Sequence, residues 1–159
     1  MTRKHNDSPG IVVGVDGSAA SAAALRWALA RAATDHETVT AVEVQPIERF
    51  LPGTSYAPAP YGTAPPAERL HSRLHETVAP AVAAVRNAPE VIETHLHGDP
   101  AAELVRTAEN ASMLVLGHTP HRRITEFLLG RVTAECLRRS GIPVVLVPAG
   151  RTVRGPEAG

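Results

Sequence analysis

The chain has 159 residues, a length typical of one domain with its own hydrophobic core. It carries 16 basic and 16 acidic residues, so bulk electrostatics indicates neither a nucleic-acid partner nor an anionic membrane. We find no apolar run of membrane-spanning length and no signal peptide, and we therefore expect a cytoplasmic protein. The single cysteine, Cys136, excludes an internal disulfide and a multi-cysteine metal site. The only lysine, Lys4, argues against a P-loop, Schiff-base chemistry and a phosphoacceptor receiver domain.

The first half of the chain predicts a strand, a helix and a second strand after a disordered tail at residues 1–9. Residues 11–15 (IVVGV) form a β-branched run typical of a buried strand. Asp16, Gly17 and Ser18 then give a turn and a helix cap, and residues 18–33 have helical apolar periodicity. Residues 38–44 (TVTAVEV) predict the second strand.

A proline-rich segment separates this part from the next helix. Residues 52–66 (PGTSYAPAPYGTAPP) are too long and too rich in proline for a tight connection, and predict a mobile surface loop. A helix follows at residues 67–87, with Pro80 as an expected kink. Residues 91–97 predict the third strand, and Asp99 with Pro100 is a strong signal for the start of the third helix.

The stretch at residues 113–132 (MLVLGHTPHRRITEFLLGRV) carries the strongest functional signal. An apolar strand at 113–116 ends at Gly117, a basic polar loop follows, and a helix at 131–140 begins after Gly130. Such a strand, glycine loop and helix can bind an anion through backbone amides and the helix dipole, although an ordinary connection with incidental glycines has the same pattern. Gly141 and Pro143 end the helix, residues 144–147 form the last strand, and residues 150–159 form a tail.

The alternation of strands and helices predicts one α/β domain, at residues 10–149, with a doubly wound parallel sheet of five strands. Helices cover both faces of such a sheet, and a ligand binds beyond the carboxyl ends of the strands, where the strand order reverses. If the first and fourth strands are neighbours, Asp16 and Gly117 line the same crevice.

Three segments together resemble the universal stress protein (UspA-like) family. They are IVVGVDGSAASAAAL at the start, DPAAE at residues 99–103, and LVLGHTPHRRITEFLLGRV followed by GIPVVLVP. The resemblance implies a Rossmann-like, HUP-type sheet of order 3-2-1-4-5, a role in the stress response, and a homodimer formed through the edge strand from Val144 to Val147. It also implies one of two functional classes, of which only one binds ATP.

The ATP-binding class has the pattern G-x2-G-x9-G-[ST], which this chain matches only in part. Gly117 and Gly130 occupy the first and third glycine positions, whereas Pro120 and Arg131 replace the second glycine and the Ser/Thr. Proline removes an N–H donor and fixes φ, so its backbone cannot bind a phosphate as glycine would. Arg131 could fill the phosphate pocket or hold a phosphate with its guanidinium group.

The resemblance therefore implies a degenerate nucleotide site for ATP, with Mg²⁺, or for a related adenine nucleotide. Asp16 would contact the nucleoside, and the backbone of Val44 would contact adenine. The full set of expected site residues is Gly14, Val15, Asp16, Val44, Leu116, Gly117, Pro120, Gly130, Arg131 and Val132.

Other sites are less well supported by the sequence. His95 and His97 share a strand face and His71 and His75 a helix face, but without cysteine or a carboxylate cluster we expect solvated or capping histidines rather than metal ligands. No nucleophile elbow G-x-S-x-G is present, and the helical spacing of Cys136 from apolar residues indicates a core thiol.

Two classes of function remain. The first is a regulatory protein that binds an adenine nucleotide weakly, and the second is a dimeric stress adaptor that acts through protein contacts without nucleotide. We do not expect an enzyme, because no general base, metal cluster or activated nucleophile is visible, and slow ATP hydrolysis is the most that the sequence allows.

Overall fold

Strands and helices alternate in a computed structural model that describes residues 9–47, 67–119 and 129–150. The strands are β1 (Ile11–Gly14), β2 (Val39–Gln45), β3 (Val91–His97), β4 (Met113–His118) and β5 (Val144–Pro148). The helices are α1 (Ala19–Asp35), α2 (Ala67–Ala83), α3 (Pro100–Thr107) and α4 (Arg131–Arg139). The predictions for the tail at 1–9 (apart from Pro9), the loop at 52–66, Pro120 and the tail at 151–159 fall outside the described residues.

All five strands are parallel and lie in the order β3-β2-β1-β4-β5, which confirms the predicted fold class and strand order. The register places Val13 beside Ala41 on one side and Val115 on the other. Parallel strands need crossover connections, and the described part of each crossover contains one helix.

Successive residues of each strand enter two different cores, one on each face of the sheet. Ile11, Val13 and Val115 pack with the apolar side chains of α1 and α2. Val12, Val42 and Leu114 pack on the opposite face with those of α3 and α4. This alternation explains why β1 and residues 113–116 of β4 are apolar on both sides, since both faces of the sheet are covered there. Cys136 belongs to the second core and is fully buried, so the prediction of a core thiol is confirmed.

Side chains at the helix starts satisfy amide groups that the helices themselves leave unbonded. Ser18 caps α1 by accepting a hydrogen bond from the amide of Ser21 at 3.1 Å. Asp99 caps α3 in the same way through the amide of Ala102, at 3.0 Å. The N-cap of α4 is Gly130, which has no side chain to accept such a bond.

The element boundaries differ from the sequence predictions by a few residues. β1 ends at Gly14, because Val15 and Asp16 already form the turn into α1, although the amide of Val15 still donates to the carbonyl of Val42. α2 continues through Pro80 but ends at Ala83, four residues before the predicted end at residue 87. Within the described ranges, no helix has the length and apolarity that crossing a bilayer requires.

Candidate functional site

A cavity of about 370 Å³ opens at the carboxyl end of the sheet, where the strand order reverses. The helices that follow β1 and β4 lie on opposite faces, so these neighbouring strands separate there and leave a crevice. We call this crevice the main cavity. Seven of the residues predicted for the site line it, namely Gly14, Val15, Asp16, Val44, Leu116, Gly117 and Val132.

Asp16 places a carboxylate on the wall of the main cavity. Its Oδ1 accepts a hydrogen bond from the amide of Ser18 at 2.9 Å, and its own amide donates to Oγ of Ser21. Burial acts to raise the pKa of Asp16, but hydrogen bonds from Ser18 and Ser21 outweigh burial, and the pKa lies below its ordinary value of 3.8. The group is therefore an ionised hydrogen-bond acceptor at neutral pH.

Gly117 forms the opposite wall and packs directly on the start of α1. A Cβ atom built on Gly117 would lie 2.5 Å from the carbonyl oxygen of Ala20 and from the amide nitrogen of Ser21. No side chain fits at that distance, so glycine is required here by helix packing. This packing role differs from both explanations that the sequence suggested for Gly117, which were the approach of a ligand and an incidental glycine in an ordinary connection.

The end of β2 supplies backbone groups to the main cavity. The last pair between β1 and β2 is Gly14 with Val42, and Val44 lies two residues further along the same edge of β2. Backbone groups alternate between the two edges of a parallel strand, so the amide and carbonyl of Val44 point to the side from which β1 has departed. They form a donor and acceptor pair beside the cavity.

The main cavity also contains a buried charge cluster that the sequence patterns did not predict. Glu43 lines the cavity and is only 3% exposed. Its Oε2 lies 3.3 Å from Nδ1 of His95, which is the residue opposite Glu43 on β3. Its Oε1 lies 3.8 Å from the guanidinium group of Arg73, a half-exposed residue of α2 that also lines the cavity. The buried carboxylate thus has two cationic or potentially cationic neighbours, as burial of a charge requires.

An adjoining cavity of about 680 Å³ shares Pro46, Pro100 and Val132 with the main cavity. We call it the outer cavity. Arg131 lines the outer cavity and not the main one, together with Asp99 and Glu135. Thr133, two residues further along α4, lines the main cavity. This threonine is not among the residues predicted for the site, although its place three residues after Gly130 is visible in the sequence.

Two of the four histidines singled out as weak metal candidates, His75 and His95, contact carboxylates. His75 forms a 2.9 Å contact through Nδ1 with Glu93 at the surface. His95 is mostly buried against Glu43, so the expectation of a solvated or capping histidine is wrong for this residue. Among the described residues, no group of three or more metal-binding side chains comes together.

A family model described as the universal stress protein family matches residues 10–148. The chain belongs to this family. The match covers both cores and every described strand and helix. It also includes the three sequence segments on which the resemblance rests.

Curated relatives include two universal stress proteins of Mycobacterium tuberculosis. Rv1996 is 30% identical over 162 residues, covering 94% of this chain and 51% of the relative. Rv2005c is 28% identical over 150 residues, covering 91% and 49%. The chain thus spans about half the length of the curated relatives that it matches.

Solved structures of the family have the same fold. A universal stress protein in complex with cAMP is 25% identical, has a TM-score of 0.64, and is matched over 89% of this chain and 98% of its own. A universal stress protein from Archaeoglobus fulgidus in complex with dAMP is 23% identical with a TM-score of 0.58, over 87% and 97%.

Proposed function

We propose that this chain is a stress-response regulatory protein that binds an adenine nucleotide in the main cavity. The observation that carries the proposal is the convergence of Asp16, Val44 and Gly117 on that cavity from three different strand ends. The universal stress protein bound to cAMP supports adenine as the base, because that protein is matched over nearly its whole length.

Each part of a nucleoside has a chemically suitable partner in the cavity. The ionised carboxylate of Asp16 accepts hydrogen bonds from the ribose hydroxyl groups. The backbone of Val44 offers one donor and one acceptor, the combination that pairs with N1 and the amino group of adenine. Apolar side chains, including Leu104 and Leu116, provide contact area for the base.

Binding is expected to be weak because the glycine loop is degenerate. Pro120 lacks the backbone donor that the family pattern places there, and one donor to an ionised phosphate is worth on the order of 1.5–3 kcal/mol. That amount corresponds to about one to two decades in affinity. Arg131 lies in the outer cavity, where it can contact a phosphate without filling the main cavity.

We propose a regulatory role and not a catalytic one. Asp16 is held by Ser18 and Ser21 as a charged acceptor, and its lowered pKa makes it a poor general base. A second candidate is a dimeric adaptor that acts without nucleotide. The half-buried residues Val144, Val145 and Leu146 on the edge strand β5 favour that reading, because such an edge can pair with another chain.

Calorimetric titration with AMP and with ATP tests nucleotide binding. The variant Asp16→Asn keeps the oxygen that accepts from Ser18 and removes the charge, so we expect a folded protein with about tenfold weaker binding. The matched control is Asp35→Asn, which makes the same change at the end of α1, away from the cavity, in an ion pair with Arg31. Absence of heat with either nucleotide at millimolar concentration in the unmutated protein would contradict the proposal and leave the adaptor.

A further inference from the structure

We propose that Arg73 is a further ligand-contacting residue of the main cavity, that Glu43 holds it there, and that protonation of His95 weakens this hold. The inference rests on the proposed function, to which it adds a means of regulation. It depends on one buried carboxylate that lies between two basic side chains, each on a different element of the fold.

Arg73 is the only basic side chain among the described residues that line the main cavity. It belongs to α2 and is about half exposed, and its Nη2 lies 3.8 Å from Oε1 of Glu43. The same nitrogen would lie 3.6 Å from a Cβ atom built on Gly17, in the turn between β1 and α1. The guanidinium group therefore extends from α2 towards both β1 and β2 at the cavity, where its N–H groups can donate hydrogen bonds to a bound ligand.

Glu43 attracts Arg73 by charge and not through a hydrogen bond. Their separation of 3.8 Å is longer than the upper limit of about 3.2 Å for an ordinary hydrogen bond between nitrogen and oxygen. Oε2 of Glu43 is buried as well, and it makes no hydrogen bond within the part of the chain that the structure describes. The charge of this carboxylate is therefore balanced by the basic side chains next to it, and its hold on Arg73 depends on its net charge.

His95 lies on the other side of Glu43 and competes with Arg73 for the same charge. Its Nδ1 is 3.3 Å from Oε2, because the two residues are opposite each other on β2 and β3. Arginine remains charged in proteins, whereas histidine ordinarily gains its proton between about pH 8 and pH 5. Once His95 is protonated, its mostly buried ring pairs with Glu43 at the shorter distance. The half-exposed Arg73 can then turn away into solvent, which removes its contact with the ligand.

Other charged or titratable side chains on this face of the sheet have to be distinguished from His95. The described ones are Asp16 from the turn before α1, His75 from α2, and Glu93 and His97 from β3. Asp16 stays ionised above its lowered pKa, and His75 pairs with Glu93 at 2.9 Å. Because histidines generally titrate in one range of pH, only replacement of His95 itself assigns the effect to this residue.

Calorimetric titration of AMP into the full chain at about pH 8 and about pH 5.5 tests the inference. At the higher pH, Arg73→Gln should weaken binding about tenfold through the loss of a hydrogen bond from a charged group, and Arg73→Lys should recover part of that loss. At the lower pH, Arg73→Gln should change the affinity by less than about twofold, because Arg73 is no longer held. The matched control is Arg86→Gln, an exposed site beyond the end of α2 and outside the main cavity, which should leave the affinity unchanged.

Two further variants test the positioning roles of Glu43 and His95. Glu43→Gln keeps the size of the buried side chain and removes its charge, so it should weaken AMP at the higher pH as much as Arg73→Gln does. Combining the two substitutions should cost no more than either alone, since both remove the same contact with the ligand. With His95→Gln as the starting protein, Arg73→Gln should weaken AMP about tenfold at both pH values. Ionisation of AMP itself is the same in both starting proteins, and circular dichroism checks that each variant is folded.

The outcomes separate this inference from the proposed function. If AMP binds equally well to the unmutated protein and to Arg73→Gln at the higher pH, the inference is overturned and the proposed function stands. The same holds if the effect of Arg73→Gln does not change with pH, or if it still changes with pH after His95→Gln. If AMP does not bind to the unmutated protein, the proposed function fails and the inference fails with it.

Discussion

Gly117 on β4 and Ala20 on α1 are packed so closely that a Cβ atom on the glycine would lie 2.5 Å from the carbonyl oxygen of Ala20. This contact joins the two walls of the main cavity, since Gly117 lines one wall and the residues just before Ala20 form the other. Backbone atoms cannot move aside as a flexible side chain would, so any larger residue must push α1 away from the sheet.

The substitution Gly117→Ala should therefore destabilise the protein by about 3 kcal/mol, the upper part of the range for overpacked sites. Chemical denaturation of the purified variant measures the change in the free energy of unfolding. Gly141→Ala is the matched control, because a Cβ atom at Gly141 would meet no atom within 4 Å. Equal stability of the two variants would show that α1 and β4 are not in contact as described.

Asp16 should make stability depend on pH in the acid range. Its pKa is lowered in the folded protein, so its ionised form stabilises the fold above the unfolded value near 3.8, and that contribution is lost as the pH falls through the folded pKa. Thermal melts of the unmutated protein and Asp16→Asn between about pH 6 and pH 2.5 measure the effect. We expect the difference in Tm to favour the unmutated protein at the higher pH and to shrink below 3.8; a constant difference would contradict this.

The two walls of the main cavity, at Asp16 and Gly117, could be predicted because each depends on a short stretch of sequence. The turn at Asp16 and the strand ending at Gly117 are visible as short motifs, and strand order then brings them together. The order itself came from the family resemblance, since periodicity alone does not say which parallel strands are neighbours.

The charge cluster of Glu43, His95 and Arg73 could not be predicted in the same way. Glu43 interrupts an apolar strand, which was a visible anomaly, but its partners lie on β3 and α2, more than 25 residues away in the chain. Their contact depends on the register between β2 and β3 and on where α2 packs. These are properties of the assembled sheet, and the separate segments do not contain them.

Arg131 should help ATP and have little effect on AMP, because it lines the outer cavity alone. Arg131→Ser removes a cation that can contact the distal phosphates, so ATP affinity should fall about tenfold. Titration of both nucleotides measures the change, and Arg26→Ser, at an exposed site on α1, controls for net charge. Tighter binding of ATP to the variant would mean that Arg131 blocks the phosphates instead of holding them.

The homodimer expected from the family should depend on β5. Strand β5 is one edge of the sheet and β3 is the other, so Val145→Lys changes the expected interface while Ile92→Lys places the same charge at the opposite edge. Light scattering coupled to gel filtration should give a dimer for the unmutated protein and for Ile92→Lys, and a monomer for Val145→Lys. Circular dichroism checks that both variants are folded, and a monomeric unmutated protein at micromolar concentration would refute the expectation.

Cys136 is buried between α3 and α4, so its reactivity can report local opening of this part of the protein. Burial raises the pKa of this thiol to about 11, and it is the only cysteine in the chain. A thiol reagent at neutral pH can therefore react only when the layer that contains α4 opens transiently. Thr133 of the same helix lines the main cavity, so a nucleotide bound in that cavity should slow the labelling of Cys136. The labelling rate would then report how much of the protein has nucleotide bound.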